Sequence, residues 1–184
     1  MNICYILRGL PGSGKSFVVK QILEHYGIPY HGHVFSTDNF YIPVSYNLKT
    51  SGEIVPLEEE RQEYISNWSQ EKQGIAHSNN LKLFKIAVYK EVSLVIVDNT
   101  NVNVKSFKEY KTYAEGLGYK VIFKEPISEW WKLYSPYLKD KVKYNKELNE
   151  FAAVLASKNT HGVPLGVIFR MIMNWEEVEY EEDI

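Results

Sequence analysis

The chain has little cysteine: Cys4 stands alone among 184 residues. One thiol cannot form an internal disulfide, and its place in the apolar run ICYIL predicts a buried structural side chain in a reducing setting. No apolar stretch approaches the roughly 20 residues needed to span a bilayer, and the N-terminus lacks the charged-then-apolar order of a secretion signal. These absences predict a soluble, intracellular protein, cytoplasmic or nuclear. Net charge is also nearly missing, −2 from 21 basic and 23 acidic residues. Six of the acids fall in the last ten residues, WEEVEYEEDI, which leaves the remainder at 21 − 17, or +4. So mild a balance excludes the strongly basic face of a protein that grips long nucleic acid by its backbone, while permitting a short phosphodiester contact. The acidic end, residues 175–184, reads as a solvated tail. Repeats and low-complexity runs are absent as well, and 45% hydrophobic side chains suit a single domain over residues 1–184 with a real core.

What is present is an alternation of strand and helix. Asn2 to Leu7 is continuously apolar, as a strand covered on both faces of a parallel sheet must be. From Lys15 to Tyr26, Phe17, Val18, Val19, Ile22 and Leu23 recur at helical spacing, and Gly27 with Pro29 supplies the stop. A short strand is predicted around His33 to Ser36, then a loop from Asp38 to Val55 near the site. Leu57 to about Glu91 reads as two solvated helices interrupted near Gly74. Ser93 to Val97, closed by Asp98, is a central buried strand. Val104 to Leu117 reads as helix, Tyr119 to Phe123 as strand, and the remainder as helical. This order predicts an α/β fold, an open parallel sheet flanked by helices.

Between the first strand and helix lies GLPGSGKS, comprising Gly9, Leu10, Pro11, Gly12, Ser13, Gly14, Lys15 and Ser16. It fits the P-loop pattern, and strand before and helix after are the context its mechanism requires. The glycines allow backbone conformations that turn amide N–H groups inward, and the helix N-terminus adds its dipole toward anionic oxygens. Lys15 would reach the outer phosphates and Ser16 would offer a hydroxyl to Mg²⁺, with Phe17 continuing the helix beside the nucleotide. Asp98, ending LVIVD, would hold Mg²⁺ through water or cap the turn that follows in DNTN; both roles are compatible. Asp38, ending FSTD, would take the proton of an acceptor hydroxyl or would close a turn, and its neighbourhood by itself leaves both open.

GLPGSGKS, FSTDNF, IVDNTN, GYKVIFKEPISEWW, KNTHGVP and FRM, in that order and across nearly the whole chain, resemble the P-loop kinase domain of the Nedd-four-binding-protein type, which is similar to the polynucleotide 5′-kinases. The resemblance implies a P-loop kinase-like fold with a helical lid over about residues 134–162. It also implies binding of ATP and Mg²⁺ and transfer of the γ-phosphoryl group to the 5′-hydroxyl of single-stranded DNA or RNA ends. It puts the base on Asp38, the DNTN aspartate on Asp98, and the lid cations on Lys158 and His161 around Asn159. Arg170 would reach adenine or phosphates, or else pair with surface acids. The chain departs from the pattern at Asn39, where a second carboxylate is usual, and at Asn79 in AHSNN, where tryptophan is usual. No arginine follows Asp38. A small-molecule or nucleotide-sugar kinase, and a catalytically weak ATP-binding adaptor, are the rival readings.

In the segment before Lys158, the lysines 139, 141, 143 and 146, with Tyr137 and Tyr144, would either touch a nucleic-acid strand or form a solvated helix face. Trp130 and Trp131 read as core anchors beneath the lid. His31 and His33 lack a third ligand at metal spacing. His77 reads as a helix-surface or site-rim residue.

Overall fold

The first strand, β1 (Ile3–Leu7), is buried from Cys4 onward because neighbours flank it on both edges and helices cover both its faces. In the computed structural model, which describes residues 1–41, 62 and 65–179, β1 pairs in parallel with β3 (Leu94–Asp98) and with β4 (Lys120–Lys124). The two-residue β2 (Val34–Phe35) pairs with β3, giving the order β2-β3-β1-β4. Register aligns Leu7 with Asp98 and with Lys124. The chain crosses from β1 outward to β2 and from β3 back across to β4, so the order reverses between β1 and β3. In open α/β sheets that is where ligands bind, beyond the carboxyl ends of the strands.

Helix α1 (Lys15–Tyr26) packs Val18, Val19 and Ile22 on one sheet face with Tyr5, Leu7, Leu94 and Ile96. Helices α2 (Gln70–Tyr89) and α3 (Val104–Gly116) cover the other face around Ile6, Val95, Val97, Phe84, Phe107 and Tyr110. Ser69 caps α2 by accepting from the Lys72 N–H, and Asn103 with Ser106 forms a capping box on α3. Cys4 lies in this core, and burial, reinforced by Glu115, pushes its thiol far above the usual range, leaving it inert.

Three expectations need correction. α2 runs through Gly74 without a break: helical stability comes chiefly from packing, and its face of Ala76, Asn80, Phe84, Ala87 and Val88 is buried. Most of the helix expected before it, and most of the loop from Asp38 to Val55, lie outside the described residues. The lid segment is two pieces rather than one long helix, a 3₁₀ turn over Ser135–Lys139 and α5 (Asn145–Lys158). With α4 (Glu129–Tyr134) and α6 (Leu165–Met173) it encloses a separate core around Trp131, Phe151, Leu155 and Trp175. Tyr137 and Tyr144, both half-buried, pack on each other at 4.9 Å against this core.

The third correction concerns the acidic end, whose described part is docked through Trp175, Val178 and Glu176 while the Glu177 and Glu179 side chains stay exposed. Trp175 is buried, Glu176 N–H donates to the Val102 carbonyl at 2.9 Å, and the Glu176 carboxylate accepts from the Val104 N–H at 2.7 Å. No described helix is long and apolar enough to cross a membrane.

Candidate functional site

The sequence after β1 cannot stay extended, because Gly12 and Gly14 adopt φ of 76° and 97°. Gly14 stands at the N-terminus of α1, so the loop delivers that helix's unpaired N–H groups to the sheet edge. Close approach also demands glycine. A Cβ on Gly9 would meet Pro126 at 2.6 Å, and one on Gly12 would collide with the Leu155 carbonyl oxygen in α5. The lid therefore rests directly on the phosphate loop.

Ser128, which the sequence pattern did not single out, and Trp130 clamp this loop from the β4 side. The Ser128 hydroxyl donates to the Ser13 carbonyl at 2.8 Å, and the Trp130 indole N–H donates to the Gly12 carbonyl at 2.9 Å. Trp131 is the core anchor expected of it, whereas Trp130 is a loop clamp. Lys158 lies over the Trp130 ring, 4.2 Å from its centroid. Replacing Gly12 by alanine adds a strained left-handed residue, about 1–2 kcal/mol, and a collision with α5. The variant is expected to melt lower and to bind nucleotide more weakly, both read on purified protein.

Asp38 sits in the 3₁₀ turn Thr37–Phe40 just after β2, with the Ser36 hydroxyl accepting from its N–H at 3.3 Å. The turn is tied to DNTN. Asn99 Oδ1 accepts from both the N–H and the hydroxyl of Thr37, at 2.9 and 2.8 Å. With that oxygen engaged, the Asn99 amide meets the Tyr110 hydroxyl, which also accepts from the buried Asn80 at 3.1 Å. A chain of polar groups thus runs from the α2–α3 junction to the residue preceding Asp38. Asn80 announces itself only as a polar residue within the apolar spacing of α2. Tyr110→Phe, which keeps the ring and deletes the hydroxyl, is expected to lower turnover about fivefold, equivalent to about 1 kcal/mol, and to lower the melting temperature by a few degrees because the buried Asn80 amide loses its acceptor. Steady-state kinetics with a parallel melt checks this.

Asp38, Asp98, Ser16 and His161 border one cavity of about 770 Å³. His161 Nδ1 lies 3.4 Å from Asp38 Oδ2. Burial pushes the Asp98 carboxyl above its ordinary range; Lys15 and, more weakly, His161 pull it back, while Asp38 adds to the rise. A carboxyl raised in this way makes the folded state lose stability as pH climbs through its folded value, a penalty that a neighbouring cation relieves. Burial lowers the His77 imidazole, with Asp38 opposing, and its Nδ1 lies 3.4 Å from the Thr37 hydroxyl. Phe17 is exposed on the first turn of α1. Arg170 is exposed on α6, does not line the cavity, and forms no ion pair among the described residues. His33 bonds the Leu94 carbonyl at 2.7 Å, a structural contact.

Arg8, immediately before the loop, is fully buried. Its guanidinium donates to the carbonyls of Asn101 at 2.8 Å, Val102 at 3.1 Å and Glu176 at 2.7 Å, and lies 4.3 Å from the Trp175 ring centroid. A charge closing an otherwise apolar strand was its one signal in the sequence, since a buried cation must find partners.

Comparison with known proteins agrees with this geometry. A family model described as an AAA domain matches residues 5–129. Human NEDD4-binding protein 2 is 33% identical over 175 residues, which is 95% of this chain and 8% of that protein. The chain thus spans only a small part of that relative's length. With its phosphate loop, its all-parallel sheet and this match, the chain belongs to the AAA-domain family and is a P-loop, kinase-like nucleotide-binding domain of the type found in NEDD4-binding protein 2.

Proposed function

We propose that this domain is an ATP-dependent phosphotransferase that acts on the 5′-hydroxyl end of DNA or RNA. The observation that carries this reading is that Asp38 borders the same cavity as Ser16 and Asp98, so a group able to take a proton faces the groups suited to hold phosphates. Lys15 and the α1 N-terminus would bind the outer phosphates, within the loop running from Gly9 to Ser16. The residues fit Mg²⁺: the Ser16 hydroxyl and Asp98 carboxylate are hard oxygen donors on one cavity, and the raised Asp98 carboxyl is a charge that lacks full compensation. Bound there, Mg²⁺ would offset negative charge on the phosphate oxygens.

Asp38 would accept the proton as the acceptor oxygen forms its bond to the γ-phosphorus. The bond from that phosphorus to the β–γ bridging oxygen breaks, and ADP leaves with those electrons. Positive groups near the equatorial oxygens stabilise the charge spread among them, and His161 beside Asp38 and Lys158 on the Gly12 flank are the lid residues suited to this. Arg170 would serve the donor nucleotide only from the outer face of α6. The nucleic-acid acceptor is what the motif resemblance to the polynucleotide 5′-kinases implies.

The test is transfer of labelled γ-phosphate from ATP with Mg²⁺ to short 5′-hydroxyl DNA and RNA, with 5′-phosphorylated oligonucleotides as controls. Label on the 5′-hydroxyl ends alone supports the proposal. Label on small hydroxylated molecules only, or ATP binding without turnover on any acceptor, overturns it.

A further inference from the structure

The cavity continues past the reacting groups. From Ser16 and Asp98 it follows one side of α1 along Val19 and Leu23 to Ile28 and Tyr30. This wall is built by the helix end. Gly27, at φ 64°, closes α1, and the Ile28 N–H returns to the Leu23 carbonyl at 3.1 Å, folding the chain back so that Ile28 and Tyr30 continue the surface that Leu23 begins. Tyr30 is fixed at both ends. Its carbonyl accepts from the His33 and Val34 N–H groups at 3.2 and 3.0 Å, and its hydroxyl donates to Asn39 Oδ1 at 3.2 Å, one residue from Asp38.

In-line transfer sets the attacking and leaving oxygens on opposite sides of the phosphorus. The Gly12 flank of the phosphate loop is closed by Trp130 and α5, whereas the Tyr30 wall lies beside Asp38 and leads into β2. The acceptor therefore belongs on the Tyr30 side. Resting on the phosphotransfer reading, we infer that Tyr30, with Leu23 and Ile28 beside it, seats the terminal nucleobase of the acceptor, held by stacking on the tyrosine ring. Val19, Leu23 and Ile28 offer an apolar wall suited to a planar ring, while the polar groups Lys20, Glu24, Ser36, Asn39 and Thr160 line the rest of the cavity. A planar ring gains from an aromatic face regardless of its hydrogen-bonding edge, so the identity of the base matters little. Lys20 is the one lysine or arginine among the described residues lining this cavity, and it pairs with Glu24 at 3.7 Å. That suits an end carrying one nearby phosphate better than a multiply phosphorylated small acceptor. Asn39, a neutral amide, accepts from the tyrosine without adding charge.

The experiment compares a short 5′-hydroxyl oligodeoxynucleotide with the same strand carrying an abasic 5′-terminal residue, in ATP-driven transfer and in equilibrium binding without ATP. The abasic end is expected to lose roughly tenfold in kcat/KM and in affinity, with the KM for ATP unchanged. Tyr30→Ser should produce the same loss on the ordinary end and no further loss on the abasic one, while Tyr30→Phe, which keeps the ring, retains the preference. Equal transfer and equal binding of the two ends overturns the inference. If neither strand accepts phosphate, the phosphotransfer reading fails, and the binding comparison alone then decides whether Tyr30 seats a base.

Discussion

An Asp38→Asn variant is expected to bind ATP as the unaltered protein does and to lose about 10²–10⁴-fold in turnover. The substitution keeps size and hydrogen-bonding reach but removes the ability to take a proton. The turn itself should survive, because it is held from outside the side chain by Asn99 on Thr37 and by Ser36 on the Asp38 N–H. Lys15→Ala supplies the contrast, since it removes the cation intended for the phosphates and should abolish ATP binding together with transfer. ATP titration and single-turnover transfer on the two variants separate the roles. If Asp38→Asn transfers phosphate at the full rate, the base lies elsewhere in the cavity.

Arg8→Met is expected to destabilise the domain by about 3–5 kcal/mol, because each buried acceptor abandoned costs roughly 1–3 kcal/mol and the guanidinium serves three carbonyls. For a chain of this size that corresponds to a fall in melting temperature on the order of 10 °C. Function should suffer as well. Arg8 ties the loop after Asp98 to the segment at Glu176, and Gly9 donates its own N–H to the Thr100 carbonyl at 3.0 Å. The phosphate loop and DNTN are therefore tied to each other directly. Thermal unfolding of the variant with and without ATP checks both halves, and an unchanged melting temperature would show that the docked tail is held by Trp175 packing instead.

The parts legible in the sequence are those with a local cause. β1, α1, β3, α3 and β4 were marked by continuous apolar runs or helical spacing bounded by glycine. The phosphate loop was marked by a spacing that few other structures need. Asp38 and Asp98 were legible as carboxylates at strand ends, and the structure brings them to one cavity. Gly74 misled because an isolated glycine weakens a helix only slightly, and burial of the Ala76, Phe84 and Val88 face outweighs it. The tail misled because its acids suggested solvent, while the docking groups are Trp175, the Glu176 backbone and a single carboxylate.

The sequence by itself determined the α/β class and the phosphate loop, since periodicity and glycine geometry act over a few neighbouring residues. Tertiary structure decided what those residues face: Trp130 on the Gly12 carbonyl, α5 seated on the loop, Arg8 holding the tail, and Asn80 with Tyr110 supporting the Asp38 turn. These contacts join positions far apart in the chain. Their partners are selected by shape and by the need to satisfy buried polar groups, which no local spacing encodes.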